Sequence, residues 1–223
     1  MRAPWQLYKC RGAWNAVTTS YNQIAGQSVE RLAALSDGIF AVAMTLLVLD
    51  LRVPAAEAIH SGRDLQHALW ALSPQIAIYL LSFTTLGIFW VGQQTQLNYL
   101  ERAHRSLAWI HLAFLFAVTL TPFSTRLLAD FIAYKTALIV YWPNILLLGG
   151  SLYFSWTCAT GLGLVKADVP ADVPGAIKRR IIIGQSLYAF GALLCIFSTY
   201  WSIGFIVLVQ LYYAIAPRFG RRN

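Results

Sequence analysis

The sequence predicts an all-α, polytopic membrane protein with six transmembrane helices and both termini cytoplasmic. Three observations carry this. The chain is 58% hydrophobic and only 12% charged, where ordinary soluble domains carry roughly 25% charged residues, and its mean hydropathy is +0.57. Its apolar residues gather into six runs, most of them near the roughly 20 residues needed to cross a hydrocarbon layer. Its basic residues keep to one side of those runs. With both ends inside, all of the 17 Lys and Arg fall in inner segments except Arg52, Arg63, Arg126 and Lys135. That is the positive-inside bias. It accounts for the net charge of +8 as topology, so no nucleic-acid partner is expected.

Taken in order, residues 1–30 are polar and aromatic, with Trp5, Tyr8, Trp14 and Tyr21 among Arg2, Lys9 and Arg11. They contain no continuous apolar core of a cleavable signal peptide and read as a cytoplasmic tail. Residues 31–217 form one transmembrane domain, and 218–223 a basic cytoplasmic tail. The apolar runs are 32–53, 68–91, 107–128 (broken by Pro122), 136–162, 181–198 and 201–216. Tyr200-Trp201 is read as the turn between the last two. Trp70, Trp142 and Trp201 fall near outer ends and Trp90, Trp109 and Trp156 near inner ends, the arrangement of aromatic belts.

The first run is unusual. Ser36 and Asp37 open it, small residues follow at Gly38, Ala41 and Ala43, and Val42, Leu46 and Leu49 share one helical face at i, i+4 and i+7. An ionisable residue inside a span marks a functional site by default; it also suits a helix cap or a headgroup-level position. Arg31 is a candidate partner for Asp37. The apolar stripe fits lipid, a neighbouring helix or a pore. Thr45, beside it, can bond back to its own helix or join a ring of hydroxyls. Asp50, where the run ends, reads as a solvated mouth residue or as an outer-vestibule charge that attracts cations.

Other patterns carry less. Thr160-Gly161-Leu162-Gly163-Leu164 faintly resembles a carbonyl filter, but a glycine helix stop explains it better. His60, Asp64 and His67 could share a helical face as metal ligands, on thin grounds, and no metal or other cofactor is expected. Cys10, Cys158 and Cys195 form no Cys-x-x-Cys pair. Asp168 and Asp172, among Pro170 and Pro174, read as a solvated loop, and Lys178-Arg179-Arg180 as a topology signal that meets anionic headgroups. No phosphate loop, HExxH or nucleophile elbow occurs, so no enzyme is expected.

At Arg31-x-x-x-Leu35-Ser36-Asp37, followed by Gly38, Phe40, Ala41, Ala43, Thr45, Leu46 and Leu47, the chain resembles the bacterial form of the transmembrane protein 175 family of lysosomal potassium channels. Phe89-Trp90 and Pro122-Phe123 look like further landmarks of it. The resemblance implies a homotetramer in the bacterial inner membrane, six spans per subunit, with the first helices around the axis. By position, Val42, Leu46 and Leu49 then form the constriction and Thr45 a layer tied to potassium preference. Ser36 and Asp37 belong to a structural network with Arg31, Trp90, Gln93, Gln94 and His111. Potassium and other monovalent cations are the implied permeants. The chain departs from the family pattern at Leu35 (usually Phe), Gln93-Gln94 (a His pair) and His111 (Asn), all around Asp37, so that network must be rewired. The main alternative is a secondary transporter or permease for a small solute. It calls for an ionisable residue or broken helix at the midplane, and the acids and prolines here lie near span ends.

Overall fold

The computed structural model of the protein describes residues 28–215. The expected tails, with Cys10 and the C-terminal arginines, lie outside the described residues apart from 28–30. Every element described is helical: α1 Val29–Leu49, α2 Gly62–Ala71, α3 Ser73–Asn98, α4 Arg105–Asp130, α5 Lys135–Gly161, α6 Val173–Leu193 and α7 Thr199–Ile215, with 3-10 turns at Ala56–Ala58 and Leu194–Ile196. Five of them, α1, α3, α4, α5 and α6 with its 3-10 extension, are long and apolar enough to cross a membrane. α7 is described for 17 residues, about 26 Å of helix.

The boundaries depart from the apolar runs for local reasons. α1 starts earlier, at Val29, because Ser28 caps it and accepts from the Arg31 N–H. The second run divides: Leu72 closes α2, and Pro74 sits in the first turn of α3, where its missing N–H costs nothing. Thus Trp70 belongs to a short separate helix. α6 begins at Val173 with Pro174 in its first turn, so Lys178-Arg179-Arg180 lie within a helix. The turn between α6 and α7 is at 194–198, and Tyr200-Trp201 lie in the first turn of α7.

Pro122 does not break α4, which runs on to Asp130. The hydroxyls of Thr121, Ser124 and Thr125 donate to Ala117 O, Thr121 O and Thr121 O, and Asn144 Nδ2 from α5 donates to the Thr121 and Ser124 hydroxyls. These hydroxyls and the neighbouring helix make a bonded polar patch around the proline. Pro143 likewise lies inside α5. The glycine stop is real: Gly163 has φ +63, and Leu164 N–H reaches back to Ala159 O at 3.0 Å, a Schellman closure.

α1 packs on α3 and α4, and α5 bridges α4 to α6. A main core forms around Phe40, Leu86, Phe114, Val118 and Tyr141, and a second gathers Leu97, Leu107, Trp156 and Leu164. Trp156 is therefore not a belt residue. It is fully buried and donates its indole N–H to Pro174 O. At one end of the bundle the α3–α4 and α5–α6 connections pair through Glu101 N–H to Leu164 O and Lys166 N–H to Tyr99 O. At the other, Lys135 Nζ donates to Ile196 O.

Candidate functional site

α1 has two faces. Ser36, Phe40, Ala43 and Leu47 are buried at the i, i+4, i+7, i+11 spacing of one stripe. Roughly a third of a turn around, Val42, Leu46 and Leu49 are 58%, 45% and 74% exposed on the subunit. Val42 and Leu46 flank a groove of about 440 Å³ between α1 and α4, with Leu35, Gly38, Ile39 and Thr119. Thr45 is exposed as well, and its hydroxyl bonds back to Ala41 O (3.0 Å) and Val42 O (2.8 Å).

The signature residues anchor α1 to two neighbours. Ser36 is fully buried. Its Oγ lies 2.7 Å from Leu32 O and 2.6 Å from His111 Nε2 on α4, and it accepts from Gln93 Nε2 on α3 at 2.9 Å. The serine has one proton to give. If it goes to Leu32 O, His111 must donate from Nε2, so the imidazole tautomer and the hydroxyl direction are one linked choice. Gln93 Oε1 is buried without a partner. Asp37 points the other way: Oδ1 accepts from Trp90 Nε1 (2.8 Å) and Gln94 Nε2 (2.7 Å), both on α3. A carboxylate held by two N–H donors is fixed without an opposite charge.

Thus Gln93, Gln94 and His111, where the chain departs from the resembled pattern, hold Ser36 and Asp37 together with Trp90. Arg31 is not brought in. It is exposed, and among the described residues its guanidinium has no ion pair.

At the other end of α1, Asp50 is not a lone charge. Its Oδ1 lies 3.1 Å from Arg126 Nη1 near the end of α4, and Arg126 Nε lies 3.7 Å from Asp130 Oδ2. The triad keeps one net negative charge. Arg126 was legible as an i, i+4 partner of Asp130, but its link to Asp50 needs the packing of α1 on α4. A second missed feature is a buried polar chain: Thr125 Oγ1 lies 2.8 Å from Ser82 Oγ, which can donate to it, Tyr141 OH meets Ser82 and Thr85, and Gln210 donates to Thr85. Polar residues scattered through apolar runs were its signal. Asp64 is used locally, accepting from His60 N–H while its own N–H goes to Ser61 Oγ.

Fold and site together define a helical membrane protein whose first helix shows an apolar stripe outward and is pinned by a polar network at one end. The family described as endosomal/lysosomal potassium channel TMEM175 matches residues 31–122. A potassium channel of Streptomyces collinus is 33% identical over 190 residues, 82% of this chain and 90% of that one. One of Chamaesiphon minutus is 28% identical over 189 residues, 83% and 93% of the two chains. The crystal structure of a lysosomal potassium-selective channel TMEM175 homolog from Chamaesiphon minutus superposes with a TM-score of 0.73 at 27% identity, over 84% of this chain and 97% of that one. The chain belongs to the TMEM175 family; it is an ion channel, not an enzyme.

Proposed function

We propose that the protein is a potassium-preferring cation channel, a homotetramer with six spans per subunit, in a bacterial inner membrane with both termini cytoplasmic. The first helices surround the axis, and Val42, Leu46 and Leu49 form an apolar constriction with Thr45 beside it. The observation that supports this best is the division of α1. One stripe is buried and pinned through Ser36 to α3 and α4, and among the described residues the bulky apolar stripe is left largely exposed. In a ring of subunits, that stripe is available to face the axis.

The mechanism is dehydration. An ion crossing an apolar ring sheds part of its water, and potassium sheds it more cheaply than sodium. The same ring gates by dewetting when it narrows. With no carbonyl cage, the preference is weaker than in carbonyl-filter channels. Val42 is smaller than Leu or Ile, which widens the first layer.

The test is potassium flux against sodium flux in liposomes carrying purified protein, with single-channel currents for Leu46→Ala. The substitution is expected to raise conductance at least about twofold and to lower the potassium preference, because a shorter ring wets more readily. Unchanged currents in both Leu46→Ala and Leu49→Ala would rule out this constriction.

A further inference from the structure

Away from α1, the helices α3, α5, α6 and α7 enclose a cavity of about 130 Å³. Its floor and walls are mostly apolar: Phe89, Leu152, Ile177 and Ile181 among others. Two polar groups on the wall are engaged with the backbone, whereas Gln185 Oε1 and the Tyr188 hydroxyl, also on the wall, are buried without a hydrogen-bond partner. Thr95 Oγ1 donates to Val91 O, and Gln96 Nε2 to Leu152 O. Two glycines on facing helices open it. A Cβ at Gly92 would meet only Leu152, at 3.7 Å, and one at Gly184 would press on the Tyr213 hydroxyl at 3.3 Å.

One charged side chain lines this cavity, Arg180. Its guanidinium carbon sits 5.5 Å from the Tyr213 ring centroid, and the Tyr213 hydroxyl donates to Arg180 O at 3.4 Å. The cation is therefore held by α7, and among the described residues it has no carboxylate partner. It lies seven residues into α6, about 10 Å along the helix from its start, and follows Lys178 and Arg179 in sequence. The rim beside it is exposed at Val91 and Thr95. A positioned guanidinium at the mouth of an apolar cavity between membrane helices matches one kind of occupant: a phosphodiester head joined to a hydrocarbon tail.

We propose that this cavity is a binding site for an anionic phospholipid, with the phosphodiester on Arg180 and one acyl chain entering between Gly92 and Gly184. Arg180 discriminates the headgroup, and the glycines make room for the chain. The site is separate from α1, and its test does not depend on ion flow.

The experiment is native mass spectrometry of the purified full chain, titrated with dioleoyl phosphatidylglycerol and, separately, with dioleoyl phosphatidylcholine. Phosphatidylglycerol is expected to be retained about tenfold more tightly, the scale of one hydrogen-bonded charge pair. Arg180→Gln removes that preference, and Arg180→Lys restores part of it. Lys178→Gln and Arg179→Gln, which are off the cavity wall, each change it less than Arg180→Gln does, by at most the about fivefold that one basic residue near an anionic surface supplies. Gly92→Leu fills the cavity without altering charge and weakens retention of both lipids; it also serves as the test if Arg180→Gln does not fold. Equal retention of the two lipids by the unmodified protein, full retention of phosphatidylglycerol by Arg180→Gln or by Gly92→Leu, or equal losses at all three basic positions, overturns the proposal.

Discussion

If α1 lines the ion path, the triad at its far end controls how many cations reach it. Asp50, Arg126 and Asp130 carry one net negative charge. Arg126→Gln makes it two, Asp50→Asn makes it zero, and the double substitution returns it to one. Little stability is at stake: all three side chains are a quarter to a half exposed (24–51%), and such pairs contribute roughly 0.2–1 kcal/mol. In a tetramer Arg126→Gln adds four uncompensated charges around the mouth. For an ion about 10 Å from each, Coulomb's law in water gives roughly 0.4 kcal/mol apiece, or about 1.7 kcal/mol together. Screening leaves about 1.2 kcal/mol in 10 mM salt, where the Debye length is about 30 Å, and under about 0.1 kcal/mol in 1 M salt, where it is about 3 Å.

The expected reading is therefore specific. Arg126→Gln raises inward single-channel conductance about sevenfold at most in 10 mM KCl and by about a tenth in 1 M. Asp50→Asn lowers it over the same range, and Asp50→Asn with Arg126→Gln lies near the parent protein. Conductance that ignores all three variants in 10 mM KCl would show that this end of α1 does not border the ion path. A double variant as altered as Arg126→Gln alone would show that the bond between α1 and α4, not the charge, is what matters.

Two other expectations follow from single contacts. Asp37→Ala strands the Trp90 indole N–H and the Gln94 amide that now converge on one oxygen; tetramer recovery on gel filtration is expected to fall, with ion preference in surviving channels near normal, and a full yield of tetramer would contradict this. Gly163→Val places a β-branched residue at φ +63, at a cost of about 1–3 kcal/mol, so the melting temperature in detergent drops while conductance is unchanged; an unaltered melting temperature would remove the strain argument.

The parts of the fold legible in the sequence are those set by local chemistry. The apolar runs located most of the spans, and the glycine stop at Gly163 was visible because a left-handed residue after an apolar run is a local signal. The errors came where a local rule met a tertiary remedy. Pro122 reads as a breaker, yet α4 runs on past it to Asp130, with Thr121 and Ser124 tied to Asn144 on the next helix. Trp156 reads as an interface anchor until Pro174 O accepts its N–H inside the bundle. Neither partner has a fixed spacing from its residue, so neither follows from periodicity.

The site divides the same way. Which α1 residues turn inward follows from an i, i+4, i+7 pattern within one helix; what each is bonded to depends on the register of α1 against α3 and α4. That register brings Asp50 to Arg126, 76 residues away in sequence, so a charge that reads as free is half neutralised. It also turns the substituted positions into a coherent set. Gln93 and His111 meet at Ser36, and Gln94 joins Trp90 at Asp37. An amide and an imidazole both donate and accept, so Gln93 and His111 can meet at the one Ser36 hydroxyl, while Gln94 and Trp90 hold Asp37 with N–H donors alone. Neutral groups on α3 and α4 thus orient the inner end of α1 without an ion pair to Arg31 among the described residues.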